Sequence, residues 1–206
     1  VAINDIADIK TMSHLVKYDS IHGVLQRNIS TKNEILLIDD LKFQFFHESD
    51  ISKLPWKALN IDFVIEATGK FKTTETAQLH LLAGAKKVIL SAPPEDDKIK
   101  TVVLGVNEHI LDGSETIISN ASCTTNNAAP MLKIIQELCG IEQAYITTVH
   151  SYTTDQSLHD QPHKDLRRAR GASQSIIPTT TGAAKAITKI FPELDGKIGG
   201  CGIRVP

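Results

Sequence analysis

The sequence predicts an α/β protein: a doubly wound, mostly parallel sheet, continued by part of an α+β domain. Three observations carry that expectation. Strand-like and helix-like runs alternate through the first half, the pattern of a sheet wound with crossover helices. The strands are short, apolar and β-branched, as strands covered on both faces tend to be. Polar residues follow the strands at Asp5, Thr68-Gly69, Ser91 and Ser119-Asn120, where open sheets of this class collect their ligands. Beyond residue 121 the texture changes, and the boundary between the two parts is placed there.

The elements follow in order. Val1 to Asn4 is a strand, and Ile9 to Tyr18 carries helical apolar spacing at Ile9, Met12, Leu15 and Val16. Glu34–Ile38 and Phe43–Phe46 are short strands around an Asp39-Asp40 turn. Asp62–Glu66 is a compact buried strand running into Ala67-Thr68-Gly69. A helix over 74–83 is closed by Gly84, which suits the left-handed position after a helix. Lys87–Leu90, Thr101–Leu104 and Thr116–Ser119 read as further strands. A helix opens at Cys123, and a threonine-rich strand covers 141–150. A long polar loop occupies 151–175, a helix starts at Thr181, and a last strand runs from Gly199 to Val205.

Composition narrows the function classes. The 206 residues carry 22 basic and 24 acidic side chains, a net charge of −2, with both signs interspersed. Nothing in that balance favours a polyanion such as nucleic acid, and Arg167-Arg168-Ala169-Arg170 is too short to change it. No apolar stretch approaches the roughly 20 residues of a membrane span. Three cysteines, Cys123, Cys139 and Cys201, have neither disulfide nor metal spacing. An odd count suits a reducing compartment, so a soluble, cytoplasmic protein is expected. The first and last residues read as strands already under way, so both ends are taken as cut.

The chemistry centres on Asn120-Ala121-Ser122-Cys123-Thr124-Thr125-Asn126 and on His150, 27 positions beyond the cysteine. A cysteine opening a helix meets unpaired backbone N–H groups and the positive end of the helix dipole, which favour negative charge on sulfur. His150 ends a strand, where a fold can bring its ring to that sulfur. Together they make an activated nucleophile with a base. The ordinary alternative for the pair is a buried structural cysteine and a hydrogen-bonded histidine.

Other residues have two uses each. Asp5, just past a strand, suits the ribose hydroxyls of a dinucleotide or the cap of the next helix. Thr153, Arg168, Thr181 and Arg204 sit in loops or at element ends, and Thr181-Gly182 opens a helix; two guanidiniums with two hydroxyls suit phosphate. Chemistry alone does not choose Arg168 over Arg167 or Arg170. The remaining histidines show no metal-ligand spacing, so no metal site is expected, and Cys139 reads as core.

These residues resemble the phosphorylating glyceraldehyde-3-phosphate dehydrogenases along the whole chain. The resemblance rests on Asn4-Asp5, Leu15–Gly23, Glu66–Gly69, Ala83–Pro93, Gly105-Val106-Asn107, Ser119–Asn126, Thr148–Thr153, Asp165–Arg170, Ile176–Lys185 and Arg204-Val205-Pro206. It implies that residues 1–121 are part of a dinucleotide-binding, Rossmann-like domain and 122–206 the first part of a catalytic domain. It implies NAD as cofactor, contacted by Asp5 and Ser91. Cys123 would be the nucleophile, its N–H an oxyanion donor, and His150 its base. Thr153 and Arg204 would hold the phosphate of glyceraldehyde 3-phosphate. Ser122, Thr124, Arg168, Thr181 and Gly182 would receive the attacking inorganic phosphate. The loop from about 155 to 178 would reach a neighbour in a homotetramer. Departures are Asn127, where many members have a second cysteine, and Ser49, where many bacterial members have an arginine near the cofactor. The glycine-rich strand–turn and the C-terminal third of the family pattern are absent, so these 206 residues alone are expected neither to bind NAD measurably nor to be active.

Three competing readings remain. Erythrose-4-phosphate dehydrogenase shares the cysteine chemistry and would suit Ala172–Pro178, whereas Thr180–Ala184 and His150–Thr153 suit the glyceraldehyde enzymes better. A Cys–His hydrolase or acyltransferase explains Cys123 and His150 but leaves Asp5 and the arginine–threonine set unused. A non-catalytic binding protein on the same scaffold leaves the intact cysteine–histidine pair unexplained.

Overall fold

The structure, a computed structural model, describes residues 1–206 and has α/β architecture. The chain divides into two compact units, Val1–Glu66 with Thr74–Val88, and Ala67–Thr73 with Ile89–Pro206.

The first unit holds β1 (Ala2–Asn4), α1 (Ile9–Lys17), β2 (Tyr18–Asp19), β3 (Gly23–Val24), β4 (Ile29–Lys32), β5 (Ile35–Ile38), β6 (Leu41–Phe46), β7 (Phe63–Glu66), α2 (Thr74–Leu82) and the start of β8 (Lys87–Leu90). Strands β1, β6, β5 and β4 form one sheet in that order. β1 runs parallel to β6, and the β4–β5 and β5–β6 pairs are hairpins. Their turns are made by Asn33 and Asp39 at φ 53° and 50°, the left-handed region that Asn and Asp tolerate best. Ile9, Leu36 and Phe45 form the core, with Ile3, Met12, Ile29, Ile38 and Phe43 against it. Helix α1 is capped by Asp8, whose Oδ1 accepts the Thr11 N–H at 2.9 Å. Capping is therefore not the role of Asp5. Gly84 ends the α2 segment at φ 107°, and a Cβ there would lie 2.3 Å from the Lys57 Cβ, so both conformation and space require glycine.

The same unit contains a sealed polar chain. Trp56 Nε1–H donates to His80 Nδ1 at 3.1 Å, and His80 Nε2 lies 3.0 Å from Glu66 Oε2. An indole N–H only donates, so His80 Nδ1 accepts and the ring proton sits at Nε2, directed at the carboxylate. All three residues are at most 5% exposed.

The second unit holds β9 (Lys100–Thr101), β10 (Ile117–Ser119), α3 (Cys123–Cys139), β11 (Ala144–Ser151), β12 (Ile177–Thr179), α4 (Ala183–Thr188) and β13 (Ile198–Val205). β10 is parallel to β9. β13 lies between β11, parallel over eight residue pairs, and β12, antiparallel. The core joins Val103, Val106 and Ala121 to Ala128, Ala129 and Leu132 of α3 and to Ile187, Ile190, Phe191 and Leu194.

Two expectations are corrected here. The strand expected over Thr101–Leu104 stops at Thr101. Val102 still donates its N–H to the Ser119 carbonyl, but Val103 leaves the ladder because the Asn107 side chain accepts its N–H and donates to the Thr101 carbonyl, closing a turn; both valines are buried. Cys139 is exposed rather than core, because the last turn of α3 runs past the residues that bury Ala128 and Leu132. No helix is long and apolar enough to cross a membrane.

Candidate active site

The cysteine is delivered by a strand, a turn and a helix in succession. β10 ends at Ser119; Asn120 and Ala121 turn the chain; Ser122 caps α3 at φ −109°, ψ 166°. The Ser122 hydroxyl accepts the Thr125 N–H at 3.1 Å and lies 2.8 Å from the Thr125 hydroxyl. Cys123 is therefore the first residue of the helix and is exposed. Thr124, the next residue, is half-buried.

His150 comes from the end of β11. Its Nε2 lies 3.5 Å from Cys123 Sγ, so the fold brings together the two residues that the sequence singled out. Its Nδ1 lies 2.6 Å from the Ser151 carbonyl oxygen. A carbonyl only accepts, so this bond would place the ring proton at Nδ1 and turn the Nε2 lone pair to the sulfur, whereas a bond from the Arg204 guanidinium to the same Nδ1 would require the other tautomer.

Arg204 reaches the same ring from β13. Register explains why: His150 and Arg204 are Cα partners in the parallel pair, and partners side by side present their side chains on one face of the sheet. Arg204 Nη1 lies 2.9 Å from His150 Nδ1 and donates to the Ser151 carbonyl at 3.2 Å. Burial first, then the like charge of Arg168, disfavour the charged form of Arg204, while Asp155 and the Cys123 sulfur favour it.

The polar loop settles which arginine turns inward. Arg167 faces solvent and pairs with Asp165 through Nε and Nη2, both at 2.9 Å; Arg170 pairs with Asp160 at 2.6 Å. Arg168 is the one whose side chain is only 17% exposed. It donates to Asp155 Oδ2 at 2.6 Å, to the Thr179 hydroxyl at 2.9 Å and to the Thr180 carbonyl at 3.3 Å. Thr179 passes the chain on, donating to Asp165 Oδ2 at 2.9 Å. Desolvation raises the Asp155 carboxyl, but hydrogen bonds from Arg168 and His163 outweigh it and hold it below its ordinary value. Arg167, and after it Thr179, hold Asp165 well below the usual carboxylate range.

Sequence reasoning missed Asp155, Asp165 and Thr179. The available signal was the need of three closely spaced arginines for nearby carboxylates, which does not say which carboxylate takes which arginine. Thr181 precedes α4 and its hydroxyl accepts the Ala183 N–H at 3.2 Å; Gly182 is the N-cap residue. Thr153 follows Tyr152, whose N–H donates to the Val205 carbonyl beside Arg204.

In the first unit, Asp5 follows β1 and its Oδ1 accepts the Ala7 N–H at 2.8 Å. Its own N–H donates to Phe46 O, which extends the β1–β6 pairing by one bond. Ser49 is exposed in the segment after β6. In the second unit, Ser91 is exposed immediately after β8.

Comparison with known proteins gives this geometry a family. Residues 1–74 match the model of the glyceraldehyde 3-phosphate dehydrogenase NAD binding domain, and residues 122–206 match the model of the C-terminal domain of the same enzymes. Glyceraldehyde-3-phosphate dehydrogenase of Borreliella burgdorferi is 50% identical over 211 aligned positions, covering 100% of this chain and 63% of the relative. That of Thermotoga maritima is 55% identical over 190 positions, covering 92% of this chain and 57% of its own length. That of Geobacillus stearothermophilus is 50% identical over 207 positions, with 100% and 62% covered. The chain thus spans about three-fifths of the length of these curated relatives. With both domain models matched in chain order and identity of 50% or more to named members, the chain belongs to the glyceraldehyde-3-phosphate dehydrogenase family.

Proposed function

We propose that the protein to which this chain belongs oxidises glyceraldehyde 3-phosphate with NAD and inorganic phosphate to 1,3-bisphosphoglycerate. The observation that carries the reading is the 3.5 Å approach of Cys123 Sγ to His150 Nε2 at the first residue of a helix. Family membership supports it. We place the boundary between the dinucleotide-binding and catalytic parts at 121/122, where the match to the C-terminal domain begins.

Cys123, as thiolate at the helix N-terminus, adds to the aldehyde carbon. The alkoxide so formed faces the first-turn N–H groups, that of Cys123 included, and takes up the proton that the Cys123 thiol had passed to His150 Nε2, becoming a hemithioacetal hydroxyl and leaving Nε2 free. His150 Nε2 accepts the hydroxyl proton as the carbon loses its hydride, leaving a thioester on Cys123. An oxygen of inorganic phosphate then adds to the thioester carbonyl. The carbon–sulfur bond breaks, the acyl phosphate departs and the thiolate is restored. Arg204 and Thr153 hold the phosphate carried by the substrate, while Arg168, Ser122, Thr124, Thr181 and Gly182 receive the attacking one. An anion drawing Arg204 off the His150 ring leaves the Ser151 carbonyl as the partner of Nδ1, which favours the tautomer with a free lone pair at Nε2.

NAD, when bound, supplies the hydride acceptor. The residues present fit it: a carboxylate held at a strand end by the Ala7 N–H suits ribose hydroxyls and disfavours a 2′-phosphate. Asp5 and Ser91 are the assigned contacts. A homotetramer, to which the loop from about 155 to 178 contributes, and a cytoplasmic location complete the proposal; three free cysteines support a reducing compartment.

The test is turnover by the full-length protein. NADH formation from glyceraldehyde 3-phosphate should require NAD, inorganic phosphate and Cys123 together. Faster turnover of erythrose 4-phosphate would reassign the substrate, and product formation without NAD would mark a hydrolase or acyltransferase.

A further inference from the structure

The turn that delivers Cys123 is strained. Ala121 has φ 59°, a left-handed conformation that a Cβ disfavours. Glycine would adopt it freely, yet the Ala121 methyl is buried with Val103, Val106, Ala128, Ala129 and Leu132, so glycine would leave a void. Core packing therefore keeps a side chain where the backbone favours none.

Hydrogen bonds on both sides hold the turn in place. On one side, the Ser119 hydroxyl donates to Ala92 O at 2.8 Å and accepts the Ala121 N–H at 3.0 Å. On the other, Asn126 Nδ2 donates to Asn120 O at 2.7 Å and to Ser122 O at 3.0 Å. The two N–H bonds of one carboxamide thus fasten two peptide planes. The first joins residues 120 and 121 and sets the entry to Ala121. The second joins 122 and 123 and carries the Cys123 N–H. Asn126 is one helical turn beyond the cysteine and touches neither Sγ nor His150 in any bond described here.

We propose that Asn126 is a positioning residue, which holds Ala121 in its left-handed conformation and so aims the Cys123 sulfur at His150 Nε2. The inference rests on the reading of Cys123 as nucleophile. Without the carboxamide the Asn120 carbonyl loses this partner, and the turn is held only by the bond from the Ala121 N–H to Ser119 and by the backbone bonds of Asn120 to Leu90 and of Asn126 to Ser122. It can then relax, and the productive placement of the sulfur becomes a minor population. The loss then falls on the chemical step rather than on aldehyde binding.

The experiment uses the full-length protein. Asn126→Ala is expected to lower kcat about tenfold, as loss of two net hydrogen bonds allows, with KM for the aldehyde within about twofold of the parent. Carbamidomethylation of Cys123 by iodoacetamide should slow in parallel. Adding Ala121→Gly removes the Cβ penalty but also a buried methyl, so Tm should fall further while kcat recovers about threefold or more. A side chain that only stabilised the helix would lose activity and stability together. Parent-like kcat and alkylation in Asn126→Ala, or a double variant no faster than the single one, overturns the proposal. If Asn126→Ala shows no cooperative melt, Asn126→Leu, of similar volume and without a donor, is judged with its own Ala121→Gly partner by the same outcomes. Cys123→Ser separates the two levels of the argument. Parent-like turnover there overturns the nucleophile reading itself, whereas its loss beside an unaffected Asn126→Ala overturns the positioning alone.

Discussion

Two histidines of this chain each find partners at both ring nitrogens, yet have opposite prospects. His80 lies between Trp56 and Glu66, with bonds of 3.1 and 3.0 Å, and is sealed from water. His150 lies between the Ser151 carbonyl and the Cys123 sulfur, with Arg204 against its ring. The indole donor sets the tautomer of His80, while Nδ1 of His150 is shared between an acceptor, the Ser151 carbonyl, and a donor, Arg204. What differs is the second nitrogen. In His80 it meets a buried carboxylate, which completes a closed network. In His150 it meets an exposed thiol whose other side is open to a reactant. A hydrogen-bonded histidine is architecture when every partner is internal, and chemistry when one partner is left unsatisfied toward solvent.

The comparison can be broken from either side. The largest effect is expected at His150: His150→Asn in the full-length protein should lower kcat by about 10²- to 10⁴-fold, the span of general acid–base catalysis, with little change in Tm. Steady-state rates and a thermal melt on the same sample check it, and a parallel fall in both would make His150 a structural residue. The reverse pattern is expected at His80. His80→Leu strands Glu66 and Trp56 without their shared partner and should destabilise the fold by about 3 kcal/mol, while kcat per folded molecule is retained. Chemical denaturation gives the first quantity and active-site titration the second.

A smaller effect tests the arginine setting. Asp155→Asn should loosen Arg168 and raise KM for inorganic phosphate about tenfold, roughly the worth of one charged hydrogen bond. The sign of its pH dependence follows from the depressed carboxyl value. The stability it contributes is fully present above the ordinary aspartate value of 3.8 and is lost as pH falls through the lower folded value. Acid unfolding of Asp155→Asn should lack that component, so its curve should approach the parent's at the lowest pH. Smallest of all, Ser122→Ala should cost about 1 kcal/mol through loss of the α3 cap, and Ser122→Gly only a few tenths. Equal stability of the two variants would show that the hydroxyl caps nothing in solution.

Much of the scaffold was legible because its signals are local. The Asp39-Asp40 turn between two apolar runs reads as a hairpin, and the structure pairs Ile38 with Leu41 across it. Gly84 announces the end of a helical segment, and its φ of 107° agrees. The failures share a cause as well. Val102 and Val103 have strand chemistry, but the Asn107 side chain takes the Val103 N–H and the Thr101 carbonyl, so the pairing ends after the Val102 N–H bond to the Ser119 carbonyl. β4 was missed because Ile29–Lys32 alternates only weakly, and its place comes from pairing with β5. Cys139 keeps helical spacing with the buried face of α3, yet burial depends on what lies opposite, and its side chain is exposed.

The sequence by itself determined the parts whose physics lies within a few residues: a serine-capped helix opening on a cysteine, a strand closing on a histidine, an acid just past the first strand. Tertiary structure alone decided which of three neighbouring arginines turns inward, which carboxylates hold it, and that Arg204, 54 positions away, stands against His150. Caps and turns are fixed by bonds between near neighbours, which residue type and spacing reveal. Strand register and burial are fixed by the whole sheet at once, since a slip of one residue would send every side chain to the opposite face.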